Sequence, residues 1–151
     1  MSESIKTRLF RYMFNLFPAY RGTGGVITYI AADWRELHVK LPLTLHTRNY
    51  MGTIFGGSLY GAVDPMYMIM LIKNLGDKYI VWDKAATIRF KKPGKTTLYA
   101  RFWLDQAELD MIIGALENTR SIDRVYTVEL QDADRVVHAI IEKTIYIRCK
   151  G

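Results

Sequence analysis

Residues 49–76 read NYMGTIFGGSLYGAVDPMYMIMLIKNLG. A loop carrying Asn49, Gly52 and Thr53 runs into the glycine pair Gly56-Gly57, and then into a stretch with no polar face. From about residue 58 to 74 it holds Leu59, Tyr60, Ala62, Val63, Met66, Tyr67, Met68, Ile69, Met70, Leu71 and Ile72. A helix that is apolar all round is buried, in a protein core or in a bilayer. The bilayer fails twice: the run is shorter than the roughly 20 residues of a span, and Asp64 would be costly at membrane depth. The stretch therefore predicts a central helix enclosed by protein, most simply by a strongly curved antiparallel sheet of about six strands. Pro65 lacks an N–H and crowds the carbonyl of Gly61, so a bend or widening is expected near Asp64.

The flanking sequence supplies the strands. Residues 25–31 and 34–41 flank Ala32-Asp33, and Leu37, Val39 and Leu41 alternate with Glu36, His38 and Lys40, the mark of a strand with one buried face. Residues 79–92 and 96–104 flank the turn at Pro93-Gly94. Asp105 and Glu108 have capping-box spacing ahead of a helix whose inner face is Leu109, Ile112, Ile113 and Leu116. Residues 124–131 and 135–148 flank Asp132-Ala133-Asp134. The last strand is apolar on both faces near Ile140-Ile141, which places it near the sheet's centre. At the N-terminus Ser4 can cap a helix that ends before Pro18, with Ile5, Leu9, Tyr12, Met13, Leu16 and Phe17 at spacings of three and four. Residues 1–20 are thus expected to form an amphipathic helix packed over the domain; a helix lying on a membrane surface is the alternative. The class is α+β, one domain over 1–151.

Composition narrows the function. Of 151 residues, 50% are hydrophobic and 24% charged, as in ordinary globular proteins. The net charge of +6 favours anionic partners. The basic residues are scattered, however, and the densest group, Arg89, Lys91, Lys92 and Lys95, carries no nucleic-acid-binding signature. A single cysteine, Cys149, permits no intrachain disulfide and suits a reducing compartment. His38, His46 and His138 form no metal-binding pair, so no metal is expected. Lys6, Arg8 and Arg11 interrupt the apolar residues of the N-terminus, which is unlike a signal peptide and points to a cytoplasmic protein without stable membrane insertion.

The stretch N49-x-x-G52-T53-x-F55-G56-G57, with Asp64 nine positions after Phe55, resembles the N-x-x-G-T-x-H-G-G…D signature of hotdog acyl-CoA thioesterases, the phenylacetate-pathway enzymes being the nearest characterised group. The segments GGSLYGAVDPMYM, VWDKAATIRFKKPGK and IEKTIYIR resemble a hotdog subfamily known only as a domain of unknown function, over nearly the whole chain. The resemblance implies a curved sheet wrapped round a long helix, and association into a homodimer or homotetramer. It implies that Asp64 serves as nucleophile or general base. Phe55 departs from the pattern, standing where the histidine usually does and removing a donor to the thioester carbonyl.

Read as chemistry, a helix N-terminus offers free N–H groups, and glycine there admits close approach, so the Gly57 amide, with Ser58 as a second donor, suits an oxyanion. Asp64 lies seven residues on, about two turns and about 10 Å along a straight helix, too far for both to reach one carbonyl. The resemblance implies that Asp64 works with Gly57 of a partner chain. The catalytic candidates are Asp64, Gly57 and Asn49, the last positioning water or thioester. The substrate-contact candidates are Thr53, Phe55, Gly56, Ser58, Tyr60, Tyr67, Asp83, Lys91, Lys92 and Lys95. Each has an alternative. Asp64 can bond a neighbouring backbone or tyrosine hydroxyl at the kink, and Asp83 can form an edge salt bridge. The lysines can be a solvated turn rather than a phosphate site, and the tyrosines can be core. No cofactor is expected beyond coenzyme A within the substrate. A non-catalytic protein binding acyl-CoA or a fatty acyl ligand is the other functional class.

Overall fold

The computed structural model describes residues 2–151. Six strands form one antiparallel sheet in the order β1-β2-β4-β5-β6-β3. They are β1 (Val26–Ile30), β2 (Glu36–Leu41), β3 (Tyr79–Phe90), β4 (Leu98–Trp103), β5 (Ser121–Gln131) and β6 (Val137–Cys149). The alternation read in the sequence holds: Leu37, Val39 and Leu41 of β2 are buried, and so are Leu98, Ala100 and Phe102 of β4. These residues pack with Leu59, Met66, Met70 and Leu71 of the central helical segment. Burying each such side chain contributes about 1.5–3 kcal/mol. This is the wrapped-helix hotdog arrangement expected from the sequence.

The central segment is more broken than a bend. It divides into α3 (Gly56–Gly61) and α4 (Met66–Leu75), joined by a turn over residues 62–65. Pro65 has no N–H to give, and Met66 donates to Val63 rather than to Ala62. The freed Ala62 carbonyl accepts from the buried Tyr20 hydroxyl at 2.7 Å, so the break leaves no orphan there. Nor is the segment buried all round: Met68 and Ile69 are half-buried and Ile72 is exposed.

Three further expectations are corrected. β6 is paired on both sides, yet it stands next to the edge strand β3 rather than at the centre. In α5 (Gln106–Leu116) Asp105 accepts from the Glu108 amide as expected, but the Glu108 carboxylate goes to Arg124 and Tyr126 instead of back to the cap; Leu109, Ile112 and Leu116 are buried and Ile113 is exposed.

The third concerns α1 (Ile5–Leu16), which does lie on the domain but with the opposite face inward. Thr7 is buried, and Phe10 and Phe14 contact Trp34 and Tyr20. Asn15 exchanges two hydrogen bonds with the backbone of Ile27, at 2.8 and 2.9 Å. Glu3 takes both a bidentate contact from Arg11 and the amide of Ile30. The helix thus satisfies the free edge of β1, as natural sheets require. The short α2 (Pro18–Arg21) follows. Ile5, Leu9, Tyr12, Met13, Leu16 and Phe17, expected against the core, are all exposed.

The Arg11 contact holds the Glu3 carboxyl at about 2, against some opposition from burial and with help from the Ile30 amide. A depressed acid stabilises the fold above its unfolded value of 4.5 and loses that contribution as pH falls toward 2. Melting temperature measured across this window should fall more steeply for the wild type than for Glu3→Gln, whose side chain does not titrate.

Candidate functional site

The polar cluster at the helix break is built by three elements. β6 alternates Ile141, Lys143, Ile145 and Ile147 inward. That pattern places the Lys143 side chain, 1% exposed, under the turn between α3 and α4. Its Nζ donates to Asp64 Oδ1 at 2.6 Å and to the Tyr60 hydroxyl at 2.9 Å, and stands 3.1 Å from Asp83 Oδ1. Tyr60, one turn before Asp64, donates its hydroxyl to the same Asp64 Oδ1 at 2.8 Å. Asp64 Oδ2 has no partner among the described residues, and the side chain is 43% exposed. A register shift between Asp83 and Ala85 bulges β3 at Lys84. Asp83 then faces Lys143 while Lys84 pairs with Asp123 on β5.

Two carboxylates share one ammonium. Burial presses the Lys143 ammonium down, but its hydrogen bonds to Asp64 and Tyr60 and its ion pair with Asp83 outweigh that and leave its pKa raised. Burial raises the Asp83 carboxyl; Lys143 counters this, and the nearby Asp64 charge adds to it. Asp83 Oδ1 is buried and out of line for a hydrogen bond despite its proximity to Nζ. The Tyr60 phenol is raised chiefly by burial.

Sequence reasoning found Asp64, Tyr60 and Asp83 but missed Lys143. The signal was present: a lysine at an inward position of a strand whose neighbours on that face are isoleucines.

The glycine end of α3 lies between two clefts. One, of about 340 Å³, is lined by Asn49, Thr53, Gly56, Phe90, Lys91 and Lys92 among others. It brings two of the three candidate lysines to the loop; Lys95 does not line it. The other is lined by His46, Phe55, Gly57 and Ser58 with residues of the α2 end. The amides of Gly56 and Gly57 have no backbone acceptor among the described residues, whereas Ser58 N–H is taken by the Phe55 carbonyl. The Phe55 ring lies over Gly57, where an added Cβ would come within 2.4 Å of it. Asn49 is consumed in its own loop: its oxygen accepts from the Met51 and Thr53 amides and its nitrogen donates to the Thr53 hydroxyl. Tyr67 stands apart, buried in the core, stacked on Tyr126 and edge-on to Phe102. Asp64 lines neither cleft. In the second half of β3, Ala85, Ala86, Thr87, Arg89 and Phe90 are exposed. Among the described residues no cluster of side chains is suited to a metal.

Residues 6–147 match the family described as Domain of unknown function (DUF4442). The chain belongs to the DUF4442 family. A search of curated proteins gave no match. The DUF4442 chain is similar in structure to PA5026 of Pseudomonas aeruginosa, a protein of unknown function named "Probable Thioesterase", with TM-score 0.84 and 16% identity over 99% of both chains. It is also similar to thioesterase HI1161 of Haemophilus influenzae, with TM-score 0.69 and 10% identity over 98% of this chain and 94% of that one. The PaaI protein of the Escherichia coli phenylacetic acid degradation operon gives TM-score 0.64 and 16% identity over 96% and 93%. These likenesses, over nearly the whole length of the DUF4442 chain, establish the hotdog fold.

Replacing Lys143 by Met should leave two carboxylates facing each other without a cation. Chemical denaturation should show a loss on the order of 2–4 kcal/mol, at or below the usual range for a broken buried pair because both carboxylates reach solvent. Adding Asp64→Asn and Asp83→Asn to that variant should restore most of the loss, since a neutral set needs no counter-charge.

Proposed function

We propose that this DUF4442 protein hydrolyses acyl thioesters, with acyl-CoA as the substrate class, at a site completed by a second copy of the chain. The observation that carries the reading is Asp64: an acid in the break of the central helix, fixed at one oxygen by Lys143 and Tyr60 and open at the other. A carboxylate so held is oriented without being used up. In this reading Oδ2 takes a proton from water as the water attacks the thioester carbonyl, or attacks that carbonyl itself to give an acyl anhydride that water then hydrolyses. The oxyanion that forms is received by the free Gly57 amide of the partner copy, and the coenzyme A thiolate leaves. Lys91 and Lys92, beside Thr53 and Gly56, meet the phosphates of coenzyme A by charge. Asn49 contributes by building the loop, and Tyr67 by packing the core. The exposed second half of the edge strand β3 supports association there into a homodimer.

A second reading, a non-catalytic binder of acyl-CoA or a fatty acyl ligand, is favoured by one feature. The Phe55 ring stands over Gly57, where the thioesterase pattern has a histidine able to donate.

Free-thiol release from short, long and aromatic acyl-CoAs distinguishes the two. Hydrolysis that falls about 10²–10⁴-fold in Asp64→Asn, with acyl-CoA binding retained, is expected for the enzyme. Binding of acyl-CoA with no thiol released by either protein would move the assignment to the binder. Unchanged turnover in the variant would remove Asp64 from the mechanism.

A further inference from the structure

α1 is held to the domain by the wrong side for an ordinary surface helix. Its aromatic and polar positions face inward, through Phe10, Phe14, Thr7, Arg11 and Asn15. Its aliphatic stripe faces outward: Leu9 is 64% exposed, and Ile5, Met13 and Leu16 are as open or more so. Successive helical residues step about 100° round the axis, which puts Ile5, Leu9, Tyr12, Met13 and Leu16 in one band with Lys6 and Arg8 on its two flanks. Lys6 and Arg8 are both exposed. A capping box between Ser4 and Thr7 fixes the start of the helix, so its form does not depend on burying the stripe.

We propose that this stripe seats α1 in the surface of an anionic lipid bilayer, reversibly and parallel to the membrane plane. An apolar band flanked by cations is the pattern of an interfacial helix. The charge sign fits the partner, since the whole chain carries +6. Area weighs against a second protein. The helix is about 18 Å long and the band about 10 Å wide, well short of the roughly 800 Å² per partner of a stable interface. A bilayer needs no such area and no matching shape. Nor is this a span: no helix among the described residues is long and apolar enough to cross a membrane. The seat adjoins the glycine end of α3. Leu16 borders a cleft with Arg21 and His46, and His46 borders the next with Phe55, Gly57 and Ser58. An acyl group leaving the bilayer would meet that path first.

Co-sedimentation of the full chain with vesicles tests this, comparing phosphatidylcholine with phosphatidylcholine containing phosphatidylserine. Binding is expected to the anionic vesicles, weaker to the neutral ones, and reduced by added salt. Leu9→Glu with Met13→Glu should lower it more than about tenfold, and Lys6→Gln about fivefold. Both sets of changes are on exposed positions, and an unchanged melting temperature verifies the fold. No binding to either vesicle, or binding that the Glu variants leave intact, overturns the proposal. So does a change in oligomeric state on Leu9→Glu with Met13→Glu, read by light scattering, which would make the stripe a contact between copies. No acyl-CoA enters the measurement, so its outcome is independent of the hydrolase reading.

Discussion

An ammonium on the inner face of a β-sheet has to be neutralised where it stands, and Lys143 imposes that condition on everything around it. The isoleucines on either side can offer it nothing. The charge is met by Asp83 across the β3–β6 ladder and by Asp64 from above. A regular β3 and an unbroken helix would not present these acids in the same way. The bulge at Lys84 turns one, and the turn ahead of Pro65 carries the other. Tyr60 then takes a second hydrogen bond from Nζ. One cation thereby ties the outer strand, its neighbour and the central helix together. It also leaves Asp64 fixed at one oxygen and free at the other, the state on which the proposed hydrolysis rests.

The fold was legible because it rests on period and on punctuation. Alternation gave the buried face of β2, the turn residues placed the hairpins, and the apolarity of 58–74 required a wrapped helix. The misreadings share a cause: a sequence tells which side chains are apolar but not what each surface meets. Ile5, Leu9 and Met13 read as a core face. The edge of β1, however, needs donors and acceptors, which Asn15 and Glu3 supply, and their demands turned the helix round. β6 read as central because it is apolar on both faces, whereas being paired on both sides required only one strand beyond it.

The site was legible in part, for the same reason. Asp64 and the glycines stood out as exceptions within an apolar run. Lys143 did not, because a lysine in a strand is unremarkable until its register is known. Asn49 looked free for chemistry and proved to be the bracket of its own loop. The basic turn had support that its sequence did not advertise. His138, buried on β6, reaches the Pro93 carbonyl through Nδ1 and Asp132 through Nε2, and its own carbonyl accepts from the Lys91 and Lys92 amides. The Asp132 carboxyl is held low chiefly by that histidine. Lys91 and Lys92 are therefore mounted on a braced support, not on a loose tip.

The two borders of the sheet differ, and the difference limits how these chains can accumulate. Along β1 the backbone groups of Ile27 and the Ile30 amide are already answered, by Asn15 of α1 and by Glu3 just before it, with Asn15 standing in for a neighbouring strand. Along β3 the outward amides and carbonyls are open. A ribbon that can be lengthened at one border only has a valence of one. Two chains joined there by a twofold axis present capped borders at both ends, and no third can be added by the same contact. For chains that associate through β3, this asymmetry would make lateral growth self-terminating, ending sheet extension in a closed pair instead of a fibre.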